Sequence, residues 1–204
     1  MITIIDYKLG NTGSIINMLK RSGHKAVVSS DPDVIAKAEK LILPGVGHFA
    51  VAMEQLEQRG LIDALNHKVL KEKTPILGIC LGMQLMADFS EEGNCKGLSW
   101  INARIERFKL PVNSALKVPH MGWNDVLPKQ QHPILTGLEQ DSRFYFVHSY
   151  HAMCTDQDNV LLETTHGYPF TAAFTQENIT GVQFHPEKSH RFGMTLLKNF
   201  AEKC

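Results

Sequence analysis

Short apolar runs of β-forming residues alternate with longer stretches in which apolar positions recur every three or four residues, and this alternation fills the first half of the chain. Ile2–Tyr7 is a mostly apolar run and predicts a buried strand. Thr12–Arg21 places Ile15, Ile16 and Leu19 on one helical stripe, which Gly23 ends. Lys25–Ser30 predicts a second strand, and Asp31-Pro32 then supplies an N-cap and a first-turn proline for a short helix. A third strand is predicted over Lys40–Leu43, closed by Pro44-Gly45. Helical spacing runs from Phe49 to about Lys73, where Thr74-Pro75 stops it; Ile76–Ile79 predicts a fourth strand and Leu81–Phe89 another helix. Such a β-α-β-α rhythm predicts a parallel sheet wrapped by helices.

Beyond Gly93 the helical period gives way to alternation. Trp100–Phe108, Asn124–Leu127, Arg143–His151, Asn159–Thr165, Phe170–Thr175 and Ile179–Phe184 predict strands, and Ser189–Glu202 predicts a closing helix. The later strands are expected to join the same sheet in antiparallel fashion. No linker, repeat or charge run interrupts the 204 residues, so 1–204 is expected to be one α/β domain.

Composition removes several classes of function. Lys plus Arg equals 21 and Asp plus Glu equals 21, which leaves no basic field for nucleic acid or an anionic membrane. No window approaches the roughly 20 apolar residues of a membrane span, and Met1–Asp6 carries no basic leader, so a soluble cytoplasmic protein is expected. Cys80, Cys95, Cys154 and Cys204 are scattered without a C-x-x-C pair, which predicts neither a zinc site nor a disulfide framework. No metal or other cofactor is expected.

Chemistry concentrates in three segments. Gly78-Ile79-Cys80-Leu81-Gly82, where a predicted strand feeds a helix, has the spacing of a nucleophile elbow: the glycines remove Cβ clashes from a sharp turn and lift Cys80 to its apex. The first N–H groups of the following helix would stabilise a thiolate there. His185-Pro186-Glu187, at a predicted strand end, offers a base and a carboxylate two residues on to orient its ring. Gly45-Val46-Gly47, after the third strand, can turn backbone N–H groups toward an oxyanion, and the N–H of Leu81 is a second such donor. Taken singly, each has a plain alternative: an inert buried thiol, an exposed strand end, an ordinary strand-to-helix turn. Together, the first two predict a cysteine-nucleophile triad, and the third an oxyanion site beside it.

In their order these segments resemble the class I, triad-type glutamine amidotransferases. Asp6-Tyr7 with Gly10-Asn11, Pro44–Gly47, Gly78–Gln84, Val118–Asn124, Tyr145–Tyr150 and Phe184–Ser189 resemble, more narrowly, the subfamily of glutaminase subunits of imidazole glycerol phosphate synthase. The resemblance implies the class I amidotransferase-like fold and a heterodimer with a (β/α)₈-barrel cyclase that uses ammonia in histidine biosynthesis. It implies that Cys80 forms a glutamyl thioester, that His185 is base and then acid, and that Glu187 orients it. Gly45, Val46, Gly47, Leu81, Gln84, His148, Ser149 and Tyr150 fall where the family holds glutamine, and Trp123, Tyr145 and Lys188 at its partner-facing surface. Core packing is the competing reading for Trp123 and Tyr145, and a solvated charge for Lys188. The chain departs from the pattern at Lys8-Leu9, where many members have glycine and a small or apolar residue. A similar glutaminase serving sugar amidination in polysaccharide assembly is the alternative. A non-catalytic module on this fold would leave the triad surplus, and a papain-like hydrolase conflicts with an elbow in a β-α rhythm.

Overall fold

A computed structural model describes residues 1–138 and 141–204. In chain order its elements are β1 (Ile2–Ile5), α1 (Thr12–Arg21), β2 (Ala26–Ser29), α2 (Pro32–Ala36), β3 (Lys40–Gly45), α3 (Phe49–Gln58), α4 (Leu61–Asn66), β4 (Ile76–Cys80), α5 (Leu81–Leu85), β5 (Ala87–Ser90), β6 (Cys95–Lys96), β7 (Ile101–Arg107), β8 (His120–Asp125), β9 (Leu127–Pro128), β10 (Arg143–His148), β11 (Tyr150–Cys154), β12 (Val160–Thr165), β13 (Pro169–Gln176), β14 (Ile179–Val182) and α6 (His190–Lys203). Among the described residues no helix is long and apolar enough to cross a membrane.

One 12-stranded sheet has the order β2-β1-β3-β4-β14-β13-β11-β7-β5-β6, with β12 on β13 and β9 on β12. From β2 to β14 every neighbouring pair is parallel. At β13 the sheet turns antiparallel, so β13, β11 and β7 extend the parallel half, whereas β8 and β10 do not join it. This is the α/β architecture expected from the pattern. The central strands β4 and β14 are buried at every position, as continuous apolar runs require when helices cover both faces. On one side pack Phe49, Leu56, Leu61 and Leu65 of α3 and α4. On the other pack Ile15 and Leu19 of α1, Leu196, Leu197 and Phe200 of α6, and a cluster containing Phe144 and Phe184 with ring centroids 3.9 Å apart.

Gly78 and Gly181 pair across β4 and β14 and make a flat floor under Met83 of α5. A Cβ on Gly78 would lie 2.8 Å from the Met83 Cα, and one on Gly181 2.6 Å from its Cγ. The bare backbone lets α5 approach the sheet closely.

Several expected elements differ in extent. The helix expected over Phe49 to about Lys73 breaks at Gly60, whose φ of +64° interrupts it between α3 and α4. The helix expected over Leu81–Phe89 stops after Leu85, because the carbonyls that would continue it are taken from outside. Leu98, Trp100 and Ser99 donate their N–H groups to Leu85, Met86 and Ala87 respectively, and Ala87–Ser90 pairs with β7 instead. The strand expected from Asn124 begins earlier, at His120, because β8 is templated by β10 rather than by its own alternation. The run Arg143–His151 is two strands: β10 pairs with β8 in a separate two-stranded sheet, and after Ser149 the chain crosses into the main sheet as β11.

The close approach at the elbow sets a stability prediction. A Cβ at Gly82 would fall on the Leu43 carbonyl, whereas one at Gly13 in α1 meets nothing within 4 Å. Gly82→Ala is expected to lose at least about 1–3 kcal/mol in urea unfolding through overpacking. Gly13→Ala is expected to gain about 0.5–1 kcal/mol by lowering unfolded-chain entropy. Equal midpoints for the two variants would refute this account of the elbow.

Candidate active site

Cys80 ends β4 and precedes the first residue of α5, with φ 53° and ψ −110°. A non-glycine residue held there stores strain on the order of 1–3 kcal/mol, and its surroundings must fix it. They do so through residues without side chains. Gly45 lies beside Cys80 in the β3–β4 register, and a Cβ on it would sit 2.5 Å from the Tyr7 hydroxyl and 2.7 Å from the Gly82 nitrogen. Tyr7 in turn donates its hydroxyl to the Pro44 carbonyl at 2.6 Å. Burial, and then the neighbouring Cys80, push the Tyr7 phenol well above its usual range, so it remains a neutral donor.

His185 follows β14, the strand next to β4, and therefore emerges at the same sheet edge as Cys80. Its Nδ1 donates to Glu187 Oε1 at 2.8 Å, and the two side chains are only 2% and 1% exposed. A carboxylate on Nδ1 fixes the tautomer and leaves Nε2 for proton exchange. Burial alone would lower the imidazole pKa. Hydrogen bonds and charge from Cys80 and Glu187 outweigh it and raise the pKa to about 10. The turn carrying the pair is clamped to β10. The His185 N–H donates to the Tyr145 carbonyl at 2.9 Å. The Tyr145 N–H donates to Ser189 Oγ at 3.0 Å, and that hydroxyl donates to the His185 carbonyl at 2.6 Å. Gly193 of α6 packs against the Pro186 carbonyl, where no Cβ fits.

A cavity of about 360 Å³ opens above the pair, with Cys80, Leu81, Gln84, His185, Val46, Gly47, His148, Ser149, Tyr150 and Lys188 in its wall. Gly45 lies beneath the elbow and Glu187 behind His185. The Val46 N–H donates to the Leu9 carbonyl at 3.1 Å, so this donor is directed away from the cavity, and Gly47 sits at φ +108°, where glycine is at ease. Lys8 holds φ +72°, a conformation in which glycine would cost less; the departure at Lys8-Leu9 thus falls on the loop that engages Val46. The amide of Gln84 is turned inward, onto the Tyr150 carbonyl and Gln183. His148 is held neutral, with burial as the main cause of its lowered pKa.

Trp123 and Tyr145 are paired across β8 and β10 with ring centroids 6.3 Å apart, and Trp123 is 43% exposed, which rules out a core role for it. Lys188 reaches over the Tyr145 ring at 5.7 Å, so all three share one outer face beside the cavity. Sequence reasoning did not single out Gln183, Ser189 or Glu92. Gln183 falls inside a predicted strand and Ser189 at the start of the predicted closing helix. Glu92, which lines the cavity and accepts the Phe49 N–H at 2.8 Å, sat in a loop without a pattern.

A thiol at a strained elbow and a buried imidazole–carboxylate pair at one cavity suit acyl transfer through a thioester. A family model described as glutamine amidotransferase class-I matches residues 3–204, and the chain belongs to that family of enzymes. The particular relatives are equally clear. The chain is 53% identical over 204 residues, the whole of both chains, to imidazole glycerol phosphate synthase subunit HisH 2 of Methanococcus maripaludis. It is 51% identical over 202 residues, 99% of each chain, to the HisH 2 subunit of Pseudomonas aeruginosa. The crystal structure of a glutamine amidotransferase from Thermotoga maritima, at 18% identity, shares the fold over 94% of this chain and 77% of its own, with a TM-score of 0.63.

The raised His185 pKa predicts how stability depends on pH. A group whose folded pKa exceeds its unfolded value, here about 10 against 6.5, stabilises the fold fully below about pH 6.5 and loses that contribution as pH rises toward 10. The thermal midpoint of the wild-type chain is therefore expected to exceed that of His185→Gln most at pH 6, with the gap closing by pH 10. A gap that widens with rising pH would contradict the pairing.

Proposed function

We propose that this chain is the glutaminase subunit of an imidazole glycerol phosphate synthase, hydrolysing L-glutamine and passing ammonia to a (β/α)₈-barrel cyclase partner in histidine biosynthesis. The carrying observation is the convergence of Cys80 and the His185–Glu187 pair on one cavity, joined to end-to-end similarity with subunits of that name. Cys80 Sγ attacks the carboxamide carbon of glutamine, His185 delivers a proton to the departing ammonia, and the glutamyl thioester is then hydrolysed by water with His185 as base. Glu187 holds the ring. The Leu81 N–H and a donor from Gly45–Gly47 serve the oxyanion, while Gln84, His148, Ser149 and Tyr150 frame the rest of the substrate. Trp123, Tyr145 and Lys188 form the surface that meets the partner.

Two experiments test this reading. With the partner added, Cys80→Ala is expected to lose glutamine-dependent synthesis and to keep synthesis from ammonium salts, since the acceptor chemistry lies on the other chain. Glutamine turnover surviving in that variant would refute the nucleophile. The second concerns coupling. With Val46 N–H held by Leu9, one oxyanion donor is withheld, which lowers the rate by about 10²–10³. Glutamate release is expected to be slow for the chain alone and to rise by that order with synthase plus acceptor ligand. Equal turnover under both conditions would refute the coupling, and Lys188→Ala is expected to reduce only the stimulated rate.

A further inference from the structure

Next to Cys80, and outside the cavity wall, lies the Gln183 amide, whose orientation is dictated by its neighbours. Gln84 Nε2 is 3.1 Å from the Tyr150 carbonyl oxygen and 3.0 Å from Gln183 Oε1. A backbone carbonyl only accepts, so the Gln84 atom facing it is the NH₂ group; the second hydrogen of that group meets Gln183 and requires the oxygen end of its amide. The NH₂ end of Gln183 is thereby turned to Cys80, with Nε2 3.7 Å from Sγ. Gln183 is 0% exposed and Gln84 4% exposed. Turning either amide over would strand buried donors and acceptors.

The Tyr150 carbonyl that starts this run is held from the other side as well. His148 Nδ1 donates to it at 2.7 Å, which makes His148 Nε2 an acceptor. That nitrogen receives the hydrogen of His120 Nδ1 at 3.0 Å, and His120 Nε2 then accepts from the Asn124 amide at 3.1 Å. Burial lowers the pKa of His120 to about 4 and holds His148 well below its usual range, so both rings stay neutral in these tautomers. Each link has one assignment only.

We propose that Gln183, anchored by Gln84, is a positioning residue for the thioester chemistry: a fixed N–H donor that aims the Cys80 sulfur and favours its anionic form. The proposal rests on Cys80 being the nucleophile. It adds to the triad a donor of different origin, on the strand side of the sulfur, that carries no charge and does not line the cavity. The titratable groups otherwise bearing on Cys80 are His185 and Tyr7, and the Gln183 side chain hydrogen-bonds neither.

The test is the rate of Cys80 alkylation by iodoacetamide in the full chain from pH 5 to 10, read by peptide mass mapping with Cys95 as internal reference. Gln183→Met keeps the length and deletes the donor. It is expected to slow alkylation about tenfold at pH 6 and to move the profile to higher pH, the effect of one hydrogen bond to a charged group. Gln183→Glu, which still accepts from Gln84 but puts a carboxylate oxygen toward the sulfur, is expected to move it further. Gln84→Met, which loosens the anchor while keeping Gln183, is expected to move it less and in the same direction, and serves if the others fail to fold. Profiles unchanged from wild type in the folded variants would overturn the proposal. A wild-type Cys80 no more reactive than Cys95 at neutral pH would overturn the nucleophile itself and this inference with it.

Discussion

Holding one cysteine in a conformation that L-residues avoid is the constraint on which the rest of this structure depends. Cys80 can keep φ 53° only because the backbone on every side of it is fixed by something else. The strand before it is buried on both faces, and the helix after it is pressed onto bare backbone at Gly78 and Gly181. The turn of β3 alongside is filled by the Tyr7 hydroxyl. Small residues there are a packing necessity first. Their chemical consequence is that Cys80 stands in the wall of a cavity together with His185.

The topology then determines which other groups can meet that sulfur. β3, β4 and β14 are parallel neighbours, so their carboxyl ends lie at one edge, and ligands in open α/β sheets bind at such edges. Gly45–Gly47, Cys80 and His185 leave the sheet there in that spatial order. His185 would be mobile on an exposed turn. Instead Ser189, Tyr145 and Gly193 hold the turn from strand and helix sides, which keeps the His185 ring against Glu187.

Much of this was legible in the chain itself. Buried strands announced themselves as apolar runs, and the elbow and the His-Pro-Glu turn could be read because their chemistry is local: a glycine two residues away, a carboxylate two residues away. What escaped reading depends on partners distant in sequence. The end of α5 is decided by Leu98, Ser99 and Trp100 taking its carbonyls. The two-stranded sheet arises because β8 and β10 template each other, and Met121 and Trp123 alternate with polar residues too weakly to show it alone. Gln183 was invisible for the same reason, since its meaning lies in Gln84 and Cys80, 103 residues away in the latter case.

The strand order also bears on how the enzyme comes into being. β14 inserts between β4 and β13, although it is the last strand made. On the ribosome, β4 therefore waits as an open edge, its Cys80 without Gln183, His185 or Glu187, while the antiparallel half is synthesised. Pairing at such sequence distance is slow to close. The nascent chain thus carries the Cys80 thiol apart from the imidazole–carboxylate pair, and the proposed triad is assembled only when β14 docks.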